Sequence, residues 1–133
     1  MKIMEAIRRV DELKHNTYTT GEKIAWLSEM DGNVKNTVFD THVPNVGEIV
    51  PSFTGYTEKD VEENDGPEML IPAPWDTAYI MWLQAQIDYY NGEYDRYNNS
   101  VAAMNSTLQS FESHYHRTHS MTTTAFNIGG MIV

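Results

Sequence analysis

The sequence predicts a mainly α-helical chain. Short N-terminal helices and one long helix, straight or kinked, pack as a small bundle with an irregular loop insertion and an extended C-terminal tail. Three observations carry this. Apolar residues recur in alternating steps of three and four from Ile80 to Tyr115. A shorter run with helical spacing opens the chain. Between them, Pro44, Gly47, Pro51, Gly55, Gly66 and Pro67 exclude helix for most of residues 41–68. The division expected is a helical domain over 1–121, with an acidic loop and strap at 41–74, followed by a docking tail at 122–133.

The first helix is expected over 3–14, where Ile3, Ile7 and Val10 share a face and Arg8, Arg9 and Glu12 are free to meet water. Thr19 and Glu22 have capping-box spacing, so the threonine oxygen can accept the Glu22 amide while the glutamate reaches back. A second helix follows over about 22–40, with Leu27, Met30, Val34 and Val38 as its stripe. Gly32 inside it costs about 1 kcal/mol relative to alanine and marks a place for a bend. Residues 48–56 have the β-branched and aromatic content for a short extended piece or hairpin. Glu58, Asp60, Glu62, Glu63, Asp65 and Glu68 then form an acidic loop. Met69 to Trp75 reads as an extended apolar strap, because residues before proline avoid helical geometry.

The long stripe is Ile80, Leu83, Ile87, Tyr90, Tyr94, Tyr97, Val101, Met104, Leu108, Phe111 and Tyr115. Only a period near 3.5 keeps all of them on one face. One element over 75–118 is therefore expected, bent at most near Gly92 and roughly 50 Å or more long. Tyr79, Trp82 and Tyr89 widen the apolar arc of its first half. The narrower second half implies packing on other chains. The tail ends in Phe126, Ile128, Gly129, Gly130, Met131, Ile132 and Val133. A β-prone, apolar terminus of this kind suits strand addition to a partner, with the glycines allowing close backbone approach.

The formal net charge is −10, concentrated in residues 36–95, where twelve acidic side chains face the single Lys59. Such a surface repels phosphate, so a sequence-reading DNA binder is not expected. A surface that lies near DNA without adhering to it remains compatible. With no cysteine, disulfides and thiolate metal sites are unavailable. No apolar run is long enough to span a bilayer, and the N-terminus lacks a signal-peptide stretch, so a cytoplasmically made soluble protein is expected. His116 and His119 have a spacing that can share a metal on a helix, with His114 and Glu112 on other faces. The plainer reading is a polar helix end, where imidazoles suit the macrodipole. Asp40 and His42 read as helix termination rather than an acid–base pair, and Ser110 and Ser113 have no recognisable base. No catalytic residue and no cofactor is assigned.

Several segments together resemble a small protein of tailed-phage and prophage structural modules. They are Asn16-Thr-Tyr-Thr, Glu22-Lys-Ile-Ala-Trp-Leu-Ser-Glu-Met-Asp-Gly, Phe53-Thr-Gly-Tyr and Leu70-Ile-Pro-Ala-Pro-Trp-Asp, then Gln86-Ile-Asp-Tyr-Tyr-Asn-Gly-Glu-Tyr-Asp-Arg-Tyr-Asn-Asn-Ser and Tyr115-His-Arg-Thr-His. Together they span most of residues 10–120. The chain thereby resembles helical head–tail connector (adaptor, head-completion) subunits. That resemblance implies a homo-oligomeric ring, dodecameric by expectation, beneath the portal protein in the virion neck. Tail or stopper proteins would lie on its other side, and DNA would pass by without sequence-specific contact. It implies no catalytic residues, no metal and no membrane contact. The alternatives are another virion structural subunit (tail-completion or minor capsid) and a small metalloenzyme using His114, His116 and His119.

Overall fold

The computed structural model describes residues 1–121, and the docking residues expected between Phe126 and Val133 lie outside them. The described part is mainly helical. α1 spans Ile3–Leu13 and buries Ile3, Ala6, Ile7 and Val10, the face its spacing predicts. The Lys2 amide donates to Glu5 Oε1 at 3.0 Å, and the Met4 amide donates to the Asp65 carbonyl at 3.1 Å. Two of the free amides at the helix start are thus satisfied.

α2 spans Thr20–Val34, and the expected cap is present, with the Glu22 amide donating to Thr19 Oγ1 at 3.1 Å. The Glu22 carboxylate accepts from the Thr19 hydroxyl at 3.2 Å rather than from its backbone. The helix then widens into a π-helical turn at Lys35–Phe39, closed by the Asp40 amide donating to the Lys35 carbonyl at 2.9 Å. The irregularity therefore lies just after Gly32 rather than at it. It turns Val38 and Phe39 inward, and Phe39 meets Phe111 and Tyr115 at centroid distances of 6.0 and 5.1 Å.

The expected single element over 75–118 is two helices. α3 is Thr77–Tyr90 and α4 is Tyr94–Thr118. The chain reverses between them, since Trp75, just before α3, lies 5.6 Å from Phe111 and 4.7 Å from His114 near the end of α4. The turn is a Schellman motif. The Glu93 amide donates to the Asp88 carbonyl at 2.8 Å and the Gly92 amide to the Tyr89 carbonyl at 3.1 Å. Gly92 takes φ +79°, which a side chain would resist. The stripe survives the reversal because the connection is three residues long, so Tyr90 to Tyr94 is a step of four. Two antiparallel helices facing one core each need their own apolar stripe, and here the two stripes join in phase.

The arcs differ as expected. α3 buries Ala78, Tyr79, Leu83, Ala85, Gln86, Ile87 and Asp88, whereas α4 buries only Met104, Phe111 and Tyr115. Within the stripe, Ile80, Tyr97, Val101 and Leu108 are half-buried, and Tyr90 and Tyr94 at the turn are exposed. Tyr79, from the second row, is fully buried, as is Phe111 of the stripe.

Residues 40–76 contain one 3-10 turn at Glu58–Val61 and no strand among the described residues. The isolated bridges, between Lys2 and Glu68 and between His42 and Met121, lie outside the residues 48–56 expected to be extended or hairpin. Residues 48–56 do not pair with each other as a hairpin.

Candidate assembly surfaces and the carboxylate clasp

Asp31 organises the inner part of the irregular segment. It is fully buried. Its carboxylate accepts from the Tyr79 hydroxyl at 2.5 Å, from the Tyr56 hydroxyl, and from the Leu70 amide at 3.1 Å. The Tyr79 hydroxyl in turn accepts from the Ile71 amide at 2.7 Å. One carboxylate and one phenol thereby fasten residues 56 and 70–71 to α2 and α3. Burial raises the Asp31 carboxyl above the ordinary range, while its hydrogen bonds oppose that rise. Burial, with the neighbouring Asp31, also drives both tyrosine hydroxyls upward, so they stay protonated donors. Sequence reading missed this group. Its signal is positional: Ile24, Leu27, Asp31, Val34 and Val38 follow the three–four rule, which places a carboxylate on the core face of α2.

The acidic loop is partly committed to intramolecular pairing. Asp65 makes a two-pronged pair with Arg8, with one oxygen at 3.1 Å. Glu68 pairs with the N-terminal amine at 3.0 Å. Asp60 Oδ2 accepts from the Thr57 amide at 2.7 Å, which sets the 3-10 turn. Glu58, Glu62 and Glu63 face solvent.

Residues 43–50 are different. Val43, Val46, Ile49 and Val50 are exposed, Val46 fully and Ile49 at 88%. The base of the loop is nonetheless fixed. The Val43 amide donates to the Ser120 carbonyl at 2.7 Å. Glu48 meets His119 Nε2 at 2.8 and 3.0 Å, and the His119 ring stacks on Tyr115 at 3.8 Å. Glu48 is held below the ordinary carboxylate range, first by the Asn45 amide and then by His119. A second exposed group sits at the α3–α4 turn. Tyr89, Tyr90 and Tyr94 are exposed there, with Tyr90 stacked on Trp26 at 5.7 Å and Tyr89 beside Tyr97 at 5.2 Å.

The histidines proposed to share a metal separate along α4. His114 packs on Trp75, His116 faces His42, and His119 faces Glu48. Among the described residues, no three side chains of histidine, aspartate or glutamate stand together as a metal-binding group. A half-open cavity between α2, α3 and α4 is lined by Met30, Val34, Trp82, Met104 and Leu108, with Asn33, Thr37 and Glu112 at its polar side. Its volume of about 90 Å³ is small beside ordinary ligand pockets. None of the described helices is long and apolar enough to cross a membrane. No family model, curated protein or solved structure matches the chain.

Proposed function

We propose that this chain is a structural virion subunit, a head–tail connector that assembles as a ring beneath the portal and faces tail or stopper proteins on its other side. The observation that carries the reading is the loop 43–50. It holds Val46 and Ile49 out in water on a base fastened to His119 and Ser120, just past the end of α4. Contiguous exposed apolar side chains mark interaction sites in soluble proteins, and a fixed base lowers the ordering cost of docking. The resemblance of residues 10–120 to connector subunits supplies the partner class. The free carboxylates at Glu58, Glu62 and Glu63 suit a channel that DNA must traverse without adhering. Residues 122–133 would anchor the subunit to a partner by strand addition. No catalytic role is proposed.

Mixing purified chain with portal rings tests the reading. The wild-type chain should decorate the portal as a ring visible by cryo-EM and remain weakly oligomeric without it. Val46→Asp combined with Ile49→Asp should abolish the ring, and deletion of 122–133 should weaken portal attachment while the helical fold persists. A particle map that places the chain away from the portal–tail junction would overturn the proposal.

A further inference from the structure

His42 and His116 meet at the foot of the exposed loop, and neither takes part in the proposed docking. His42 follows the π-helical turn. Its Nδ1 lies 2.8 Å from the Val38 carbonyl oxygen. A carbonyl can only accept, so Nδ1 carries the proton and Nε2 presents its lone pair. That Nε2 lies 3.3 Å from Nδ1 of His116, with the rings steeply inclined at 76°. Without an ion, a protonated His116 Nδ1 can donate across this gap to the His42 Nε2 lone pair. The separation also matches one edge of a tetrahedron, because two nitrogens at about 2.0–2.1 Å from zinc stand about 3.3–3.4 Å apart. A ring nitrogen whose partner N–H is fixed by a backbone carbonyl is the usual arrangement of a metal-bound imidazole. The two rings open on a cleft also lined by Thr37, Thr41, Glu112 and Met121. Glu112, expected on another face, lies one helical turn before His116 on the same face of α4 and lines the same cleft.

We propose that His42 and His116 form a two-imidazole site for a divalent transition metal of the zinc, nickel or copper class. Water fills the remaining positions, since no third side chain completes a set among the described residues. Imidazole ligands select these ions over magnesium or calcium, which require oxygen. The bound ion joins the end of the π-helical turn to α4 and so stiffens the base of the 43–50 loop. The inference uses the pair alone and stands apart from the connector reading.

The test uses the full chain, freed of metal by chelation. Zinc chloride titrated at neutral pH should bind one ion per chain by calorimetry. In the unsubstituted protein, nitrogen NMR should show zinc moving the His42 Nε2 and His116 Nδ1 resonances while His15 stays in place. His42→Ala and His116→Ala should each weaken zinc binding at least tenfold, with His15→Ala unchanged. If either variant fails to fold, the NMR readout on the natural chain still decides. Absence of zinc binding, or zinc-induced shifts that bypass His42 and His116, would overturn the proposal.

Discussion

Residues 43–50 and residues 56–71 belong to the same irregular segment, yet they are held in opposite ways. The inner stretch is tied by a buried carboxylate to two helices, through Tyr56, Leu70 and the Tyr79 hydroxyl that meets Ile71. The outer stretch is tied only at its base, through Ser120 and His119, and leaves Val46 and Ile49 in water. A long segment without strands can therefore be ordered by a few well-placed acceptors. The part they do not reach is free to present apolar side chains. The inner stretch serves the fold, and the outer stretch is available to a partner.

The largest effect should follow from breaking the inner half. Asp31→Ala leaves the buried Tyr79 hydroxyl, the part-buried Tyr56 hydroxyl and the Leu70 amide without their acceptor. The expected loss is about 1–3 kcal/mol of unfolding free energy for each buried donor left unsatisfied, read by urea denaturation. Asp31→Asn retains one acceptor oxygen and should lose less. It should also change the pH profile. The folded Asp31 carboxyl lies above its unfolded value because of burial. Its favourable contribution is therefore complete below the ordinary carboxylate range and declines as pH rises through the raised folded value. Asp31→Asn should remove that decline, and an unchanged profile would show that another group produces it.

Much of this was legible in the sequence. The α1 face follows from Ile3, Ile7 and Val10, and the α2 start follows from Thr19 and Glu22. The absence of α-helix over residues 41–68 follows from the prolines and glycines. The reversal at Gly92 was hidden because a three-residue connection left the apolar phase intact, although Asn91-Gly92 carried the stop signal. The clasp was hidden because an isolated carboxylate on an apolar stripe names no partner. Tyr56, Leu70 and Tyr79 come to it only through tertiary packing. The meeting of His42 with His116 and of Glu48 with His119 likewise depends on where α4 lies against the loop.

The outer half should respond differently. Val46→Asp with Ile49→Asp should change unfolding free energy by no more than about 0.5 kcal/mol, the usual range for surface positions, while the portal-bound ring is lost. A large destabilisation would mean that the loop belongs to the core, and the contrast would fail. The smallest effect should come from Glu48→Gln. The Glu48 carboxyl is held below the ordinary range, so its contribution is present above that range and lost as pH falls through the lowered value. Proton NMR of the Asn45 amide should show the loop base loosening over that acidic window in the wild type. Glu48→Gln should show no such transition.

Amide hydrogen exchange on the isolated chain tests the contrast between the two halves most directly. The Leu70 and Ile71 amides, bonded to Asp31 and Tyr79, should exchange slowly. The Val46 and Ile49 amides should exchange near the unprotected rate. In Asp31→Ala the protection at Leu70 and Ile71 should collapse, leaving Val46 and Ile49 unchanged. Equal protection across the two stretches, or protection at Leu70 and Ile71 that survives the loss of Asp31, would contradict the account.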